Sequence, residues 1–210
     1  MKTVYFVRHG ESEGNVGSVF QPDESPLTER GKEQARYVAD RCARLPIEYM
    51  VASTMKRTQE TATIISSHIH LSFSSSDLFR ERRKPKELED RSHHDVEAQK
   101  INAAWWKSLG GDGSRVSDGE NFEDLRARAG KALEYLLERP ESNLLVVTHG
   151  FFLRYLVARA IYSDELSPSQ FEPLMRTLWM ENTGITALRY GISKWAPWVL
   201  WSWNDHAHLG

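Results

Sequence analysis

Two histidines in this chain follow apolar runs and precede a glycine. Thr3-Val4-Tyr5-Phe6-Val7 ends in Arg8-His9-Gly10, and Leu144-Leu145-Val146-Val147 ends in Thr148-His149-Gly150. A third stretch, Ala52-Ser53-Thr54-Met55-Lys56-Arg57, sets Arg57 near the start of a helical pattern, where the helix dipole favours negative charge. Arginine offers planar, bidentate donors to oxyanions. A histidine held as one tautomer offers a nucleophilic nitrogen. Gly10 and Gly150 remove side-chain bulk beside each histidine, so backbone N–H groups can approach an anion. Together Arg8, His9, Arg57 and His149 would make a cationic cup for a tetrahedral, doubly charged oxyanion. Phosphoryl transfer asks chiefly for such positioning and charge stabilisation. A departing alcohol also needs an acid, and "FRERRKPKELED" supplies Glu81, Glu87, Glu89 and Asp90.

The cup exists only if the elements deliver these residues to one edge. In open α/β sheets ligands bind beyond the carboxyl ends of the strands, and both His-Gly junctions sit at such ends. Their convergence assumes that the two strands are neighbours. Both runs are apolar without alternation, the pattern of strands buried between two helical layers. A helix is expected after Thr28, a plausible N-cap, with Gly31, Ala35, Val38, Ala39 and Cys42 on one face and Pro46 closing it. "YMVAS" reads as a second strand, Met55 to Ile69 as a helix burying Thr58, Thr61, Ala62, Ile65 and Ile69, and "LSFSSS" as a weak third strand. Phe122, Leu125, Ala129, Ala132, Leu133 and Leu136 form the stripe of another helix. Phe151 to Ile161 follows as helix, then Asn182–Tyr190 and Trp198–Trp203 as late strands. Strand alternating with helix predicts an α/β fold with a mainly parallel central sheet, in one domain over 1–210. The charged, then glycine-rich stretch from Arg82 to about Asp118 breaks the rhythm and reads as a small inserted cap with a flexible hinge.

Composition narrows the partners. A formal charge of −2 over 210 residues gives no global field for nucleic acid or an anionic membrane. Cys42 is the only cysteine, so neither an intrachain disulfide nor a cysteine metal cluster can form. No run approaches the roughly 18 apolar residues of a membrane helix, and the expected setting is cytoplasmic. His93-His94-Asp95 invites a metal reading, but adjacent histidines rarely converge on one ion, and a solvated surface is expected there. The seven tryptophans are expected mainly as packing anchors, and Arg82-Arg83-Lys84 as a solvated face able to meet a second anionic group.

"FVRHGESEGN", "SPLTERGKEQA", "ASTMKRTQETA", "SDGENFEDLRAR" and "VVTHGFFLR" resemble, in order, the motif blocks of the histidine phosphatase superfamily, the phosphoglycerate-mutase-like proteins. The final "WSWNDHAHL" is similar to the tail of its small phosphatase branch. The resemblance implies a three-layer α/β/α sandwich and a metal-independent phosphomonoester hydrolase without cofactor. His9 would become phosphorylated, Arg8, Arg57 and His149 would hold the phosphoryl oxygens, and Glu81 would be the proton donor. Asn15, Gln21 and Gly150 would add phosphate or substrate contacts. Two stretches depart from the family pattern. Arg82-Arg83-Lys84-Pro85-Lys86 stands where a Gly-x-Trp-Glu-Gly run often follows the acid, and Gln21-Pro22-Asp23-Glu24 replaces a Gln-Gly before aspartate. The rival readings are a phosphoglycerate-type mutase and a non-catalytic phosphoester-binding module. The partner expected is a small phosphorylated molecule, and the sequence leaves the oligomeric state open.

Overall fold

The computed structural model describes residues 1–210. Its single sheet contains β1 (Lys2–Arg8), β2 (Tyr49–Ala52), β3 (Ser74–Ser75), β4 (Asn143–Thr148), β5 (Ile185–Tyr190) and β6 (Trp198–Asp205). The order is β3-β2-β4-β1-β5-β6. The first four strands are mutually parallel, β5 runs antiparallel to β1, and β6 runs antiparallel to β5.

Successive residues of β4 show why the apolar runs do not alternate with polar ones. Leu144 and Val146 enter one hydrophobic core, whereas Leu145 and Val147 enter a second on the opposite face. Helices α5 (Phe122–Glu138) and α6 (Gly150–Tyr162) supply the first core, and α2 (Glu29–Cys42) and α3 (Lys56–Ile69) the second. Both strand faces are therefore dry, which is the three-layer sandwich expected of a parallel sheet. Thr28 caps α2 by accepting from the Gly31 N–H at 3.0 Å, and all five residues of its expected stripe are buried. The six stripe residues of α5 are buried as well. No helix is long and apolar enough to cross a membrane.

Several boundaries differ from expectation. The third strand shrinks to Ser74–Ser75, because only Val51 and Ala52 at the end of β2 pair with it. β5 begins at Ile185 rather than Asn182, since Thr183 and Gly184 bend to exchange hydrogen bonds with Arg8 at the tip of β1. The stretch from Arg82 to Asp118, expected as a small cap with a flexible hinge, contains α4 (Val96–Lys107), capped by Asp95, whose carboxylate accepts from Glu97 and Ala98. Two further helices went unread, the single-turn α1 (Glu13–Val16) and α7 (Pro168–Thr177). The tryptophans were misjudged too. Only Trp198 is buried, while Trp106, Trp179, Trp195 and Trp201 are exposed.

Candidate active site

β1 and β4 are adjacent and in parallel register, with Arg8 opposite Thr148. His9 and His149 follow directly, and their ring centroids lie 5.2 Å apart. Nδ1 of His9 donates to the Gly10 carbonyl at 2.7 Å, which fixes the tautomer and leaves Nε2 with its lone pair. Nε of Arg57 donates to that Nε2 at 3.2 Å. Nε2 of His149 pairs with Ser53 Oγ at 2.8 Å, and its Nδ1 is buried without a partner. Burial, reinforced by the Arg57 and Arg8 charges, holds His9 well below the ordinary imidazole range. Burial, then Arg57 and His9, does the same to His149. Both rings are thereby kept neutral at physiological pH.

The arginines close the cup. Arg57 occupies the first turn of α3 and is among the largest fully buried side chains. Burial lowers its guanidinium to about 10, an effect opposed by Glu81 and Asp23. Arg8 donates through Nη1 to the Met180 carbonyl at 2.6 Å, and its Nε is buried without a partner. Arg8 also walls a cavity shared with His9, whereas His149 is wholly buried. At Gly150 a Cβ would stand a tight 3.2 Å from Arg8 Nε, so a side chain there would press on the Arg8 guanidinium. Gly10 has a different reason from the one expected. A Cβ on it would meet the Gly31 carbonyl oxygen at 2.4 Å, so its bareness serves the packing of the loop onto α2.

Glu81 reaches the N-terminus of α6. Its carboxylate accepts from the N–H groups of Phe151 (3.2 Å) and Phe152 (2.9 Å), and from Arg82 N–H at 3.0 Å. Of the four carboxylates offered by the sequence, only Glu81 shares a cavity wall with His9. Asn15 is fixed by the α1 capping box, its Oδ1 accepting from Ser12 N–H at 3.1 Å. Gln21 donates to Ser12 Oγ at 2.5 Å. Both line the His9 cavity. Their hydrogen bonds organise the loop after His9.

Sequence reasoning missed several neighbours. Asn182 donates to the His9 carbonyl at 2.9 Å. The signal was available: the polar run Glu181-Asn182-Thr183 precedes an apolar strand, and an antiparallel strand begins where parallel ones end. Arg82 is buried rather than solvated, stacked 4.0 Å from the Trp105 ring centroid and bonded to the Glu120 and Trp105 carbonyls. Burial lowers it to about 9, against the pull of Glu120 and Glu81. Arg128 pairs with the Glu120 carboxylate at 2.7 Å and donates to the Arg80 carbonyl at 2.8 Å. That pair fixes the loop that carries Glu81. His93 packs on Phe20 instead of gathering ligands.

Two cavities meet above the cup. One of about 550 Å³ is walled by Arg8, His9, Glu81 and Gly150 together with aromatic side chains. The other, about 260 Å³, reaches Arg57. Gln21, Glu81, Arg82 and Trp105 belong to both walls.

The profile described as "Histidine phosphatase superfamily (branch 1)" matches residues 4–206. The chain belongs to this superfamily. A probable phosphoglycerate mutase GpmB of Enterobacter sp. (strain 638) is 34% identical over 219 residues, covering 100% of this chain and 95% of that protein. A GpmB of Yersinia pestis (strain Pestoides F) is 34% identical over 215 residues, with the same coverage. Among solved structures, Bacillus stearothermophilus YhfR superposes with a TM-score of 0.83 at 24% identity over 100% of both chains. The alpha-ribazole phosphatase of Shigella flexneri gives 0.79 at 23%, covering 97% of this chain and 96% of that one. These likenesses establish the histidine phosphatase fold for the chain, and the superfamily places it among enzymes of phosphatase and mutase type.

Proposed function

We propose that the chain hydrolyses phosphomonoesters through a phosphohistidine on His9. The observation that carries this reading is the pinned tautomer: Nδ1 is committed to Gly10, and Nε2 is presented to the guanidinium of Arg57. In the first step the Nε2 lone pair forms a bond to phosphorus while the bond to the ester oxygen breaks. The electron pair leaves on the alcohol oxygen, which takes a proton from Glu81. Arg8, Arg57 and His149 bind the equatorial oxygens, where the charge spreads. In the second step Glu81 takes a proton from water, whose oxygen bonds to phosphorus. The P–N bond breaks and its electrons return to Nε2, releasing inorganic phosphate. The positive charge is supplied by arginines, and the scheme calls on no cofactor. The segment from Arg82 to Asp118, with α4, acts as the cap over the cup. The setting is cytoplasmic.

A mutase is the second reading, favoured by the names of the relatives at 34% identity. A mutase must hold its intermediate away from water until the phosphoryl group is returned. Here two cavities converge on Glu81, which supports entry of water and hence hydrolysis. The test is phosphate release from a panel of phosphomonoesters with chelator present, comparing wild type with His9→Ala. Release abolished in the variant is the expected result. Equal release by both proteins would remove His9 from the chemistry, and isomerisation of phosphoglycerate without release would establish the mutase.

A further inference from the structure

The 550 Å³ cavity takes in the phosphoryl cup at Arg8 and His9, and its apolar wall is formed by Trp105, Trp106, Phe151, Trp179, Met175 and Met180. Its size, phosphoryl site included, falls in the range of sites that enclose drug-sized ligands, about 300–1,000 Å³. Two of the rings are left in contact with solvent: Trp106 is 43% and Trp179 73% exposed. Both are nonetheless held in place. Trp106 packs edge-on against Phe151 with centroids 5.6 Å apart. The Trp179 indole N–H donates to Glu181 at 2.7 Å, and the Trp179 carbonyl accepts from the Trp203 indole at 2.8 Å. Trp105 lies over the Arg82 guanidinium. Fixed, part-exposed rings beside a reaction centre are a preorganised stacking surface, since covering them regains the hydrophobic term and no ordering cost remains.

The charges on the same wall argue against a second anionic group. Three arginines, Arg8, Arg82 and Arg154, face three glutamates, Glu11, Glu81 and Glu181. Arg8 belongs to the cup. Arg82 is engaged by the Glu120 and Trp105 carbonyls, and Arg154 by those of Gly150 and Met175. Glu11, bonded to Thr28 and paired with Arg30, and Glu181, bonded to Trp179, keep negative charge on this wall. Resting on the proposed hydrolase reading, we infer that the alcohol expelled from this site is uncharged and carries a bulky, planar apolar group, which stacks on Trp106 and Trp179.

Three alkyl esters test this with leaving groups of similar acidity: 2-(2-naphthyl)ethyl phosphate, ethyl phosphate and 3-phosphoglycerate. The naphthyl ester is expected to have kcat/KM at least about tenfold above either of the others, the scale of one or two aromatic contacts. Trp106→Ala and Trp179→Ala should each cut the naphthyl-to-ethyl ratio, and Trp106→Phe should restore it. A higher kcat/KM for 3-phosphoglycerate, or a ratio that neither alanine variant changes, would overturn the inference while leaving hydrolysis intact. Should no ester release phosphate, the hydrolase reading falls, and calorimetric titration of His9→Ala with the same esters decides the cavity separately. Tighter binding of the naphthyl ester, weakened by adding Trp106→Ala, supports the stacking site. Tighter binding of 3-phosphoglycerate rejects it.

Discussion

The guanidinium of Arg57 donates to Nε2 of His9 across 3.2 Å, so the lone pair proposed to attack phosphorus is engaged by the group proposed to hold the phosphoryl oxygens. In the proposed scheme an oxyanion would draw Arg57 away and free the nitrogen, coupling release of the nucleophile to binding of its target. A lysine keeps the charge but lacks the planar fork. Arg57→Lys is expected to lower kcat by about 10²–10³, the scale of losing one oxyanion donor. Steady-state phosphate release measures it, and an unchanged kcat would detach Arg57 from the reacting atoms.

Glu81 has two tasks in this scheme, since its carboxylate also accepts from Phe151 and Phe152 at the start of α6. Glu81→Gln keeps an acceptor for the helix and removes the transferable proton. The variant is expected to retain most activity on p-nitrophenyl phosphate, whose leaving group needs little protonation, and to lose about 10²–10⁴ on alkyl esters. A plot of log kcat/KM against leaving-group pKa should steepen. Parallel lines for wild type and variant would assign the acid elsewhere.

Arg128 bonds to Glu120 and to the carbonyls of Leu78, Arg80 and Glu81. Arg128→Ala would leave the buried Glu120 carboxylate with only the Arg83 N–H and without its ion-pair partner, at a cost of up to about 3–5 kcal/mol. Denaturant titration should show that loss. Residual activity should fall more on alkyl than on aryl esters, because a loosened loop misplaces the acid. A uniform loss across leaving groups would make Arg128 purely structural.

His9 and His149 are both held neutral when folded, by burial and by nearby arginines. In the unfolded chain each accepts a proton near pH 6.5, so below that pH the unfolded state binds more protons and stability falls as pH falls. No such loss occurs above about pH 7. Each histidine contributes about 1.4 kcal/mol per pH unit below 6.5 until its depressed folded value is reached. Urea midpoints between pH 7.5 and 5.5 should drop accordingly, and less steeply in His149→Gln. A pH-independent midpoint would contradict the buried neutral state.

The parts of the molecule governed by local pattern were readable in advance. Val4 to Val7 and Leu144 to Val147 announced buried strands, and the α5 stripe from Phe122 to Leu136 was read residue for residue, because periodicity follows directly from burial. Arg8, His9, Arg57 and His149 share a motif order that also fixes their meeting point. What escaped depends on distant partners. Arg82 looks solvated beside Arg83 and Lys84, and only Trp105 and Glu120, brought over by α4 and α5, bury it. Asn182 falls outside β5 because the bend through Thr183 and Gly184 is fixed by Arg8, a partner far away in the sequence. Trp179 and Trp106 depart from the packing role expected of most tryptophans, because composition cannot distinguish a packing ring from one kept at a cavity mouth.

The strand order carries a consequence for how the protein is made. β1, the first strand to be synthesised, lies between β4 and β5, which begin at Asn143 and Ile185. At roughly 5–20 residues per second, it waits on the order of ten seconds for its first neighbour and longer for its second. Through that interval an apolar segment ending in His9 has no sheet to join. The chemistry proposed at residues 8 and 9 therefore waits on β4 and β5, and a fragment that stops before residue 143 is expected to be inactive on phosphate esters.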